Sequence, residues 1–138
     1  MSGFAVAILA IDKFFTDGWA ARTPIAYSNG PAFEPPAGAA WVRLNTVPGQ
    51  SIARSLGPSI LYRWPGVTYV QIFTPLMQGQ GDGLALADAA AAIFREQTFT
   101  TSDGGVLRFR APSLTPVGGE GQFWQVNVAC PFQRDRAG

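Results

Sequence analysis

Four stretches of this chain alternate apolar and polar residues with a period of two. That pattern constrains the fold more than any other feature of the sequence. In residues 41–47, Val42, Leu44 and Thr46 share one face, while Trp41, Arg43 and Asn45 share the other. In residues 68–74, Val70 and Ile72 oppose Tyr69, Gln71 and Phe73. In residues 106–111, Leu107 and Phe109 oppose Arg108 and Arg110. In residues 123–132, Trp124, Val126, Val128, Cys130 and Phe132 oppose Phe123, Gln125 and Asn127. Successive side chains of a strand point to opposite sides, so this alternation predicts a sheet with one dry face and one polar face. Residues 50–55 and 59–63 are weaker strand candidates. They flank Gly57-Pro58 and read as a hairpin.

Two helices supply the cover for the dry face. Phe4, Ala7/Ile8, Ile11 and Phe14/Phe15 recur at helical spacing over about residues 2–17, with Ser2 as cap and Gly18 as stop. A second helix is expected over about residues 83–97, capped by Asp82. Leu86, Ala89/Ala90, Ile93 and Gln97 trace its inner face, with Asp88, Ala92, Arg95 and Glu96 outside. Residues 24–27 read as a short extended piece. Three prolines and two glycines in residues 28–38 forbid regular structure there, and Phe33 is an apolar anchor candidate within that loop. The order predicts an α+β fold: a largely antiparallel sheet with two helices packed on one face, in a single domain over residues 1–138.

Composition limits the chemistry. Charged residues are 14% of the 138-residue chain and apolar ones 47%. Soluble domains average roughly 25% charged. We read the deficit as apolar surface meant to be hidden in an oligomer. Net charge is +1, which gives no electrostatic footprint for tight nucleic-acid binding. There is no His, which removes the usual Ser-His-Asp and Cys-His arrangements and the commonest metal ligand. A single Cys excludes an intrachain disulfide and a multi-Cys zinc site. Cys130 falls on the dry face, so a buried structural thiol is expected. The apolar run from Phe4 to Ile11 lacks a basic segment before it and meets Asp12-Lys13 at once, so it does not read as a signal peptide. No apolar stretch reaches the roughly 20 residues of a membrane span.

Residues 79–83 place three glycines before a helix, which can cradle a phosphate. Leu84 stands where a dinucleotide fingerprint needs glycine, so the loop reads as a flexible crossover capped by Asp82. The carboxylates are scattered and form no local pair, although a glycosidase-like pair meets only in the fold. No constellation supplies nucleophile, base and oxyanion donors together, and we expect no enzymatic activity, cofactor or metal. Arg43, Gln71, Arg108, Arg110 and Gln125 share the polar sheet face. With Phe33 they are the candidate interface residues, on a surface that is solvated, buried against another subunit or lining a channel. Aromatics are not interleaved with these arginines as single-strand binding requires.

The order of short motifs carries a resemblance. An amphipathic helix runs to Trp19. Then come Thr23-Pro-Ile-Ala-Tyr-Ser-Asn-Gly-Pro-Ala-Phe33, Pro35-Pro36 and Trp41-Val-Arg-Leu44. Val70-Gln-Ile-Phe-Thr-Pro75, the Gly79/Gly81/Gly83 turn, Ala87-Asp88 and Trp124-Gln-Val-Asn-Val with Pro131-Phe132 complete it. This resembles the tail terminators of long flexible-tailed bacteriophages and phage-derived particles such as gene transfer agents. The resemblance implies a structural virion protein and a hexameric ring at the head-proximal end of the tail tube. It implies that the ring stops tube polymerisation and joins the tail to the head connector. Its partners would be itself, the tube protein and a connector or adaptor, with DNA passing through the lumen and no membrane. It would assemble in the host cytoplasm. The alternative reading is another head-tail adaptor or a tube-like protein, and a third is a small-ligand domain using the residue 79–83 loop.

Overall fold

The computed structural model describes residues 4–28, 30, 32–50, 52–53 and 61–137. The element order is α1 (Phe4–Trp19), β1 (Ile25–Tyr27), β2 (Trp41–Pro48), β3 (Ile52–Ala53), β4 (Leu61–Pro75), α2 (Gly81–Phe94), β5 (Thr98–Thr100), β6 (Val106–Phe109), β7 (Ser113–Glu120) and β8 (Phe123–Ala137). The expected cap Ser2 and the expected turn Gly57-Pro58 lie outside the described residues. The hairpin arms are present, since Ile52 and Ala53 pair with Arg63 and Tyr62.

All strands join one sheet of eight, in the order β1-β2-β4-β8-β6-β5, with β3 on β4 and β7 on β8. Its spine is the antiparallel pair β4–β8, matched without a break from Leu61↔Ala137 to Pro75↔Phe123. The remaining pairs are antiparallel except β1 on β2. The α+β architecture follows the sequence pattern, and both helices cover one face.

Three boundaries differ from expectation. The stretches expected at 59–63 and 68–74 are one strand, running through Pro65. The last strand does not stop at Phe132 but continues to Ala137. Proline lacks a donor for the ladder, so it is tolerated only where no acceptor waits. The Pro65 carbonyl accepts from Gly49 N–H at 2.6 Å, on the side where the β2–β3 chain bulges. The Pro131 carbonyl accepts from Arg110 N–H at 3.0 Å, in the gap between β7 and β6. Both prolines therefore sit at breaks in the neighbouring strand. The third difference is two unforeseen strands, β5 and β7. Strand β7 carries Pro116 and a register shift between Pro116 and Gly118, features that suit an edge.

Helix α1 buries Ala7, Ile11, Phe15 and Trp19, one residue per turn. It does not stop at Gly18. It ends at Ala20 and Ala21, which take φ of 53° and 57°, while Arg22 donates to the Gly18 and Trp19 carbonyls. Gly18 serves packing instead: a Cβ there would lie 3.1 Å from Ile93. The Trp19 indole N–H donates to Thr23 Oγ1 at 3.1 Å, which aims the chain into β1.

Helix α2 spans two residues more at its start and three fewer at its end than expected. Its cap position is Gln80, without a side-chain bond, and Asp82 lies in the first turn. There its charge still meets the positive end of the helix dipole. The buried face is Gly83, Ala87, Ala90, Ala91 and Phe94, one step round from the expected Leu86–Ala89–Ile93 stripe, which flanks it. Gln97 lies beyond the helix and is exposed. Gly83 is required by contact, since a Cβ there would sit 2.6 Å from the Trp124 ring.

Aromatic rings bind helices to sheet. Phe15 stacks with Phe94 at 5.9 Å, Phe94 with Phe109 at 4.6 Å, and Phe109 meets Phe132 at 5.2 Å. Each fully buried Ile or Phe of this size contributes about 1.5–3 kcal/mol. Cys130 lies in the same layer, fully buried. Burial pushes its thiol up to about 12, with Arg95 pulling weakly the other way.

Candidate functional site

The sheet face away from the helices is the surface the sequence singled out, and the register orders it in rows. Trp41, Phe73 and Gln125 form the first row and Arg43, Gln71 and Asn127 the second. Asn45, Tyr69 and Ala129 form the third, then Val47, Val67 and Pro131 the fourth. Beyond lie Pro65, Gln133 and Arg108, and last Arg63, Asp135 and Val106.

This face is not uniformly polar. At one end Trp41 is 5% exposed, stacked on Phe73 at 4.1 Å, beside Phe33 at 5.0 Å and edge-on to Phe123 at 5.9 Å. Phe33 thus covers the sheet at this end. That anchor holds its own chain, not a free tip. The buried Trp41 Nε1–H finds no acceptor among the described residues. Pro35, Trp41, Arg43, Phe73, Phe123 and Gln125 line a hollow of about 250 Å³.

Arg43 lies 5.4 Å over both the Trp41 and Phe73 rings and donates to Gln71 Oε1 at 3.4 Å. The expectation that aromatics do not interleave with the arginines is therefore wrong for Arg43. Its aromatic neighbours come from the adjacent strand and the adjacent row. Gln125 donates to Asn127 Oδ1 at 2.8 Å, and Arg110 to Gln133 Oε1 at 3.2 Å. The candidate residues accordingly form two groups. Phe33, Arg43, Gln71 and Gln125 meet at one end, and Arg108 and Arg110 lie at the other.

Sequence reasoning missed a charged network at that second end. Asp135 accepts from Arg63 Nε at 2.6 Å and from Arg108 Nη1 at 3.1 Å. On the helix side, Arg134 Nη2 meets Asp103 at 2.5 Å and Thr101 Oγ1 at 3.0 Å, and Arg136 Nε lies 3.1 Å from Asp103. Burial pushes the Asp103 carboxyl up. Donors from Thr101, Arg134 and the Gly105 N–H, with the Arg134 charge, outweigh it and hold the group well below the usual carboxylate range. Such a carboxylate stays ionised and does not act as a general acid near neutral pH. The extension of β8 past Phe132 was the signal that could have revealed this network.

The glycine loop between β4 and α2 behaves as a crossover. Gly79 takes φ of 78°, and Gly83 is spent against Trp124. Among the described residues no group of three His, Cys, Asp or Glu is placed to hold a metal ion. No helix of the described residues is long and apolar enough to cross a membrane.

Comparison with known families decides the class of protein. A profile of phage tail terminator proteins matches residues 8–132. The chain belongs to the phage tail terminator family. A terminator-family chain is a structural protein of the virion tail, one that contacts other tail or head components. One solved structure matches over 98% of this chain and 96% of its own, with a TM-score of 0.70 and 22% identity. That likeness bears on the fold alone. No curated protein matches the chain.

Proposed function

We propose that the chain caps the head-proximal end of the tail tube, stops tube polymerisation and joins the tail to the head connector. It does so as a closed homohexameric ring in the neck of the particle. The family match over most of the chain carries this reading. The surface supports it. Leu9, Val47, Leu76, Met77, Leu114 and Val117 are among the large apolar side chains exposed. They lie on α1, β2, the β4–α2 crossover and β7, so several sides of the subunit offer apolar surface that a neighbour can bury.

In this reading Arg43, Gln71, Gln125, Arg108 and Arg110 lie on contact surfaces, and Phe33 is held against Trp41 beside them. That loop and the residue 75–82 loop form contacts between subunits or between rings. DNA passes through the lumen without sequence-specific contact. The particle is a phage, a prophage or a domesticated relative such as a gene transfer agent, assembled in the host cytoplasm.

The test is deletion of the gene from a particle-producing strain, followed by electron microscopy. Overlong or headless tails, restored to normal length by the gene in trans, are expected. Normal joined tails would reject the proposal. Filaments built by the purified protein itself would favour a tube protein instead.

A further inference from the structure

The outer sheet face holds an apolar groove that is open among the described residues. It has a volume of about 400 Å³ and is walled by Val47, Pro48, Pro65, Val67, Tyr69 and Pro131. Val47 is 49% exposed. The prolines supply no donors from the floor and stiffen it. Above the groove in register lies Arg43, below it lies Arg108, and at its side the Arg110 N–H donates to Pro131. The carboxylate on this face, Asp135, is already engaged by Arg63 and Arg108. The groove is thus an apolar centre with a basic rim.

Its complement is on the same chain. Met77 is 100% exposed and Leu76 is 38% exposed, at the start of the crossover from β4 to α2. Met77 takes φ of 64°, a left-handed conformation that costs a side chain about 1–2 kcal/mol. Ala20, Ala21 and Glu96 share that conformation, but they terminate helices, where it is ordinary. Met77 follows a strand, and the strain there holds an apolar side chain out in water. Behind it, the exposed side of α2 begins with Asp82 and Asp88 and meets no basic residue before Arg95. This is an apolar knob with an acidic rim.

A subunit cannot fill its own groove. Val67 lies eight residues before Pro75 on β4, which separates knob and groove by about 27 Å. We infer that Met77 and Leu76 of one copy insert into the Val47–Val67–Pro131 groove of the next, with Asp82 and Asp88 facing its Arg43, Arg108 and Arg110. The occupant is a second copy of this chain, chosen by charge complementarity around a matched apolar centre. The contact joins two different patches, so it propagates head to tail and closes into a ring when the rotation permits. It deepens the proposed ring and rests on it.

Cysteine cross-linking of the full chain tests this. Cys130 is buried and stays silent. The Met77→Cys/Val47→Cys double variant, treated with a short bismaleimide, is expected to give a covalent ladder ending at the ring size. Met77→Cys/Lys13→Cys is expected to give none. Met77→Asp should weaken self-association at least about tenfold, the cost of losing one buried side chain. Met77→Gly should do the same while raising monomer stability, because it relieves the backbone. Closed rings in native mass spectra without the ladder would overturn this contact and leave the ring standing. A ladder that grows without closing would keep the contact and reject the ring.

Discussion

The Arg134 guanidinium meets the Asp103 carboxylate at 2.5 Å with side chains only 1% and 6% exposed. Both charges have left water, and each depends on the other. Arg134 also lies 5.9 Å over the Trp64 ring, so it fills space as well as pairing. Its Nε and Nη1 are buried and find no acceptor among the described residues, which concentrates the pairing there on one nitrogen. Removing Asp103 leaves Arg134 an uncompensated buried charge, at about 3–5 kcal/mol, whereas removing Arg134 leaves Asp103 beside Arg136. Asp103→Ala is expected to lower the unfolding free energy from urea melts by that amount, and Arg134→Met by less, because Arg136 remains beside Asp103. The double variant Asp103→Ala/Arg134→Met is expected to cost less than the two added together. Additive losses would mean that the pair is not coupled.

The same pair sets the acid limb of stability. The Asp103 carboxyl is held below its unfolded value, near 3.9. Its contribution is therefore complete above that value and drains away as pH falls below it. The stability gap between the native chain and Asp103→Asn should be constant at pH 5–7 and should shrink between about pH 4 and pH 2. Asp12 has the opposite sign, since burial raises its carboxyl. Asp12→Asn should stabilise at pH 7, with the gain vanishing below about pH 4. Denaturant melts at four pH values distinguish the two.

Gly83 and Gly81 separate packing from loop chemistry. A Cβ on Gly83 would meet the Trp124 ring at 2.6 Å, whereas one on Gly81 would meet nothing within 4 Å. Gly83→Ala should destabilise by about 1–3 kcal/mol and shift tryptophan emission. Gly81→Ala should be neutral or stabilising by a few tenths of a kcal/mol. Equal losses at both sites would point to a loop that uses all its glycines.

Cys130 reports on opening of the core. Its thiol is fully buried and pushed up to about 12, so the thiolate is scarce at pH 8. A thiol-reactive dye should label it only at the rate of global unfolding, and at once in denaturant. Fast native labelling would mean that β8 leaves the sheet without the rest of the fold.

The sheet was legible because alternation survives on every long strand. Val42, Leu44, Val70, Ile72, Leu107, Phe109, Val126 and Val128 are all buried as their spacing requires. Strand lengths were not legible, because Pro65 and Pro131 look like breaks until the gaps beside them are known. The inner face of α2 was misjudged because an alanine run satisfies any face. Arg134 was unreadable for a different reason. Its partner is 31 residues away, and a charged residue on an inward position looks like the end of a strand. On the outer face, Trp41 was assigned with the polar side because the loop that covers it has no period to follow.

Strand β8 is the partner that both halves of the sheet require, with β4 along one side and β6 and β7 along the other. It is also translated after all of them. The β1–β4 half and the β5–β7 half cannot be sealed together before it arrives, and pairing over such separations is slow. Pro131 of the groove and the guanidinium of Arg134 come with it. The groove is therefore complete only once β8 is in place, and the surface that receives a neighbour arises together with the finished fold.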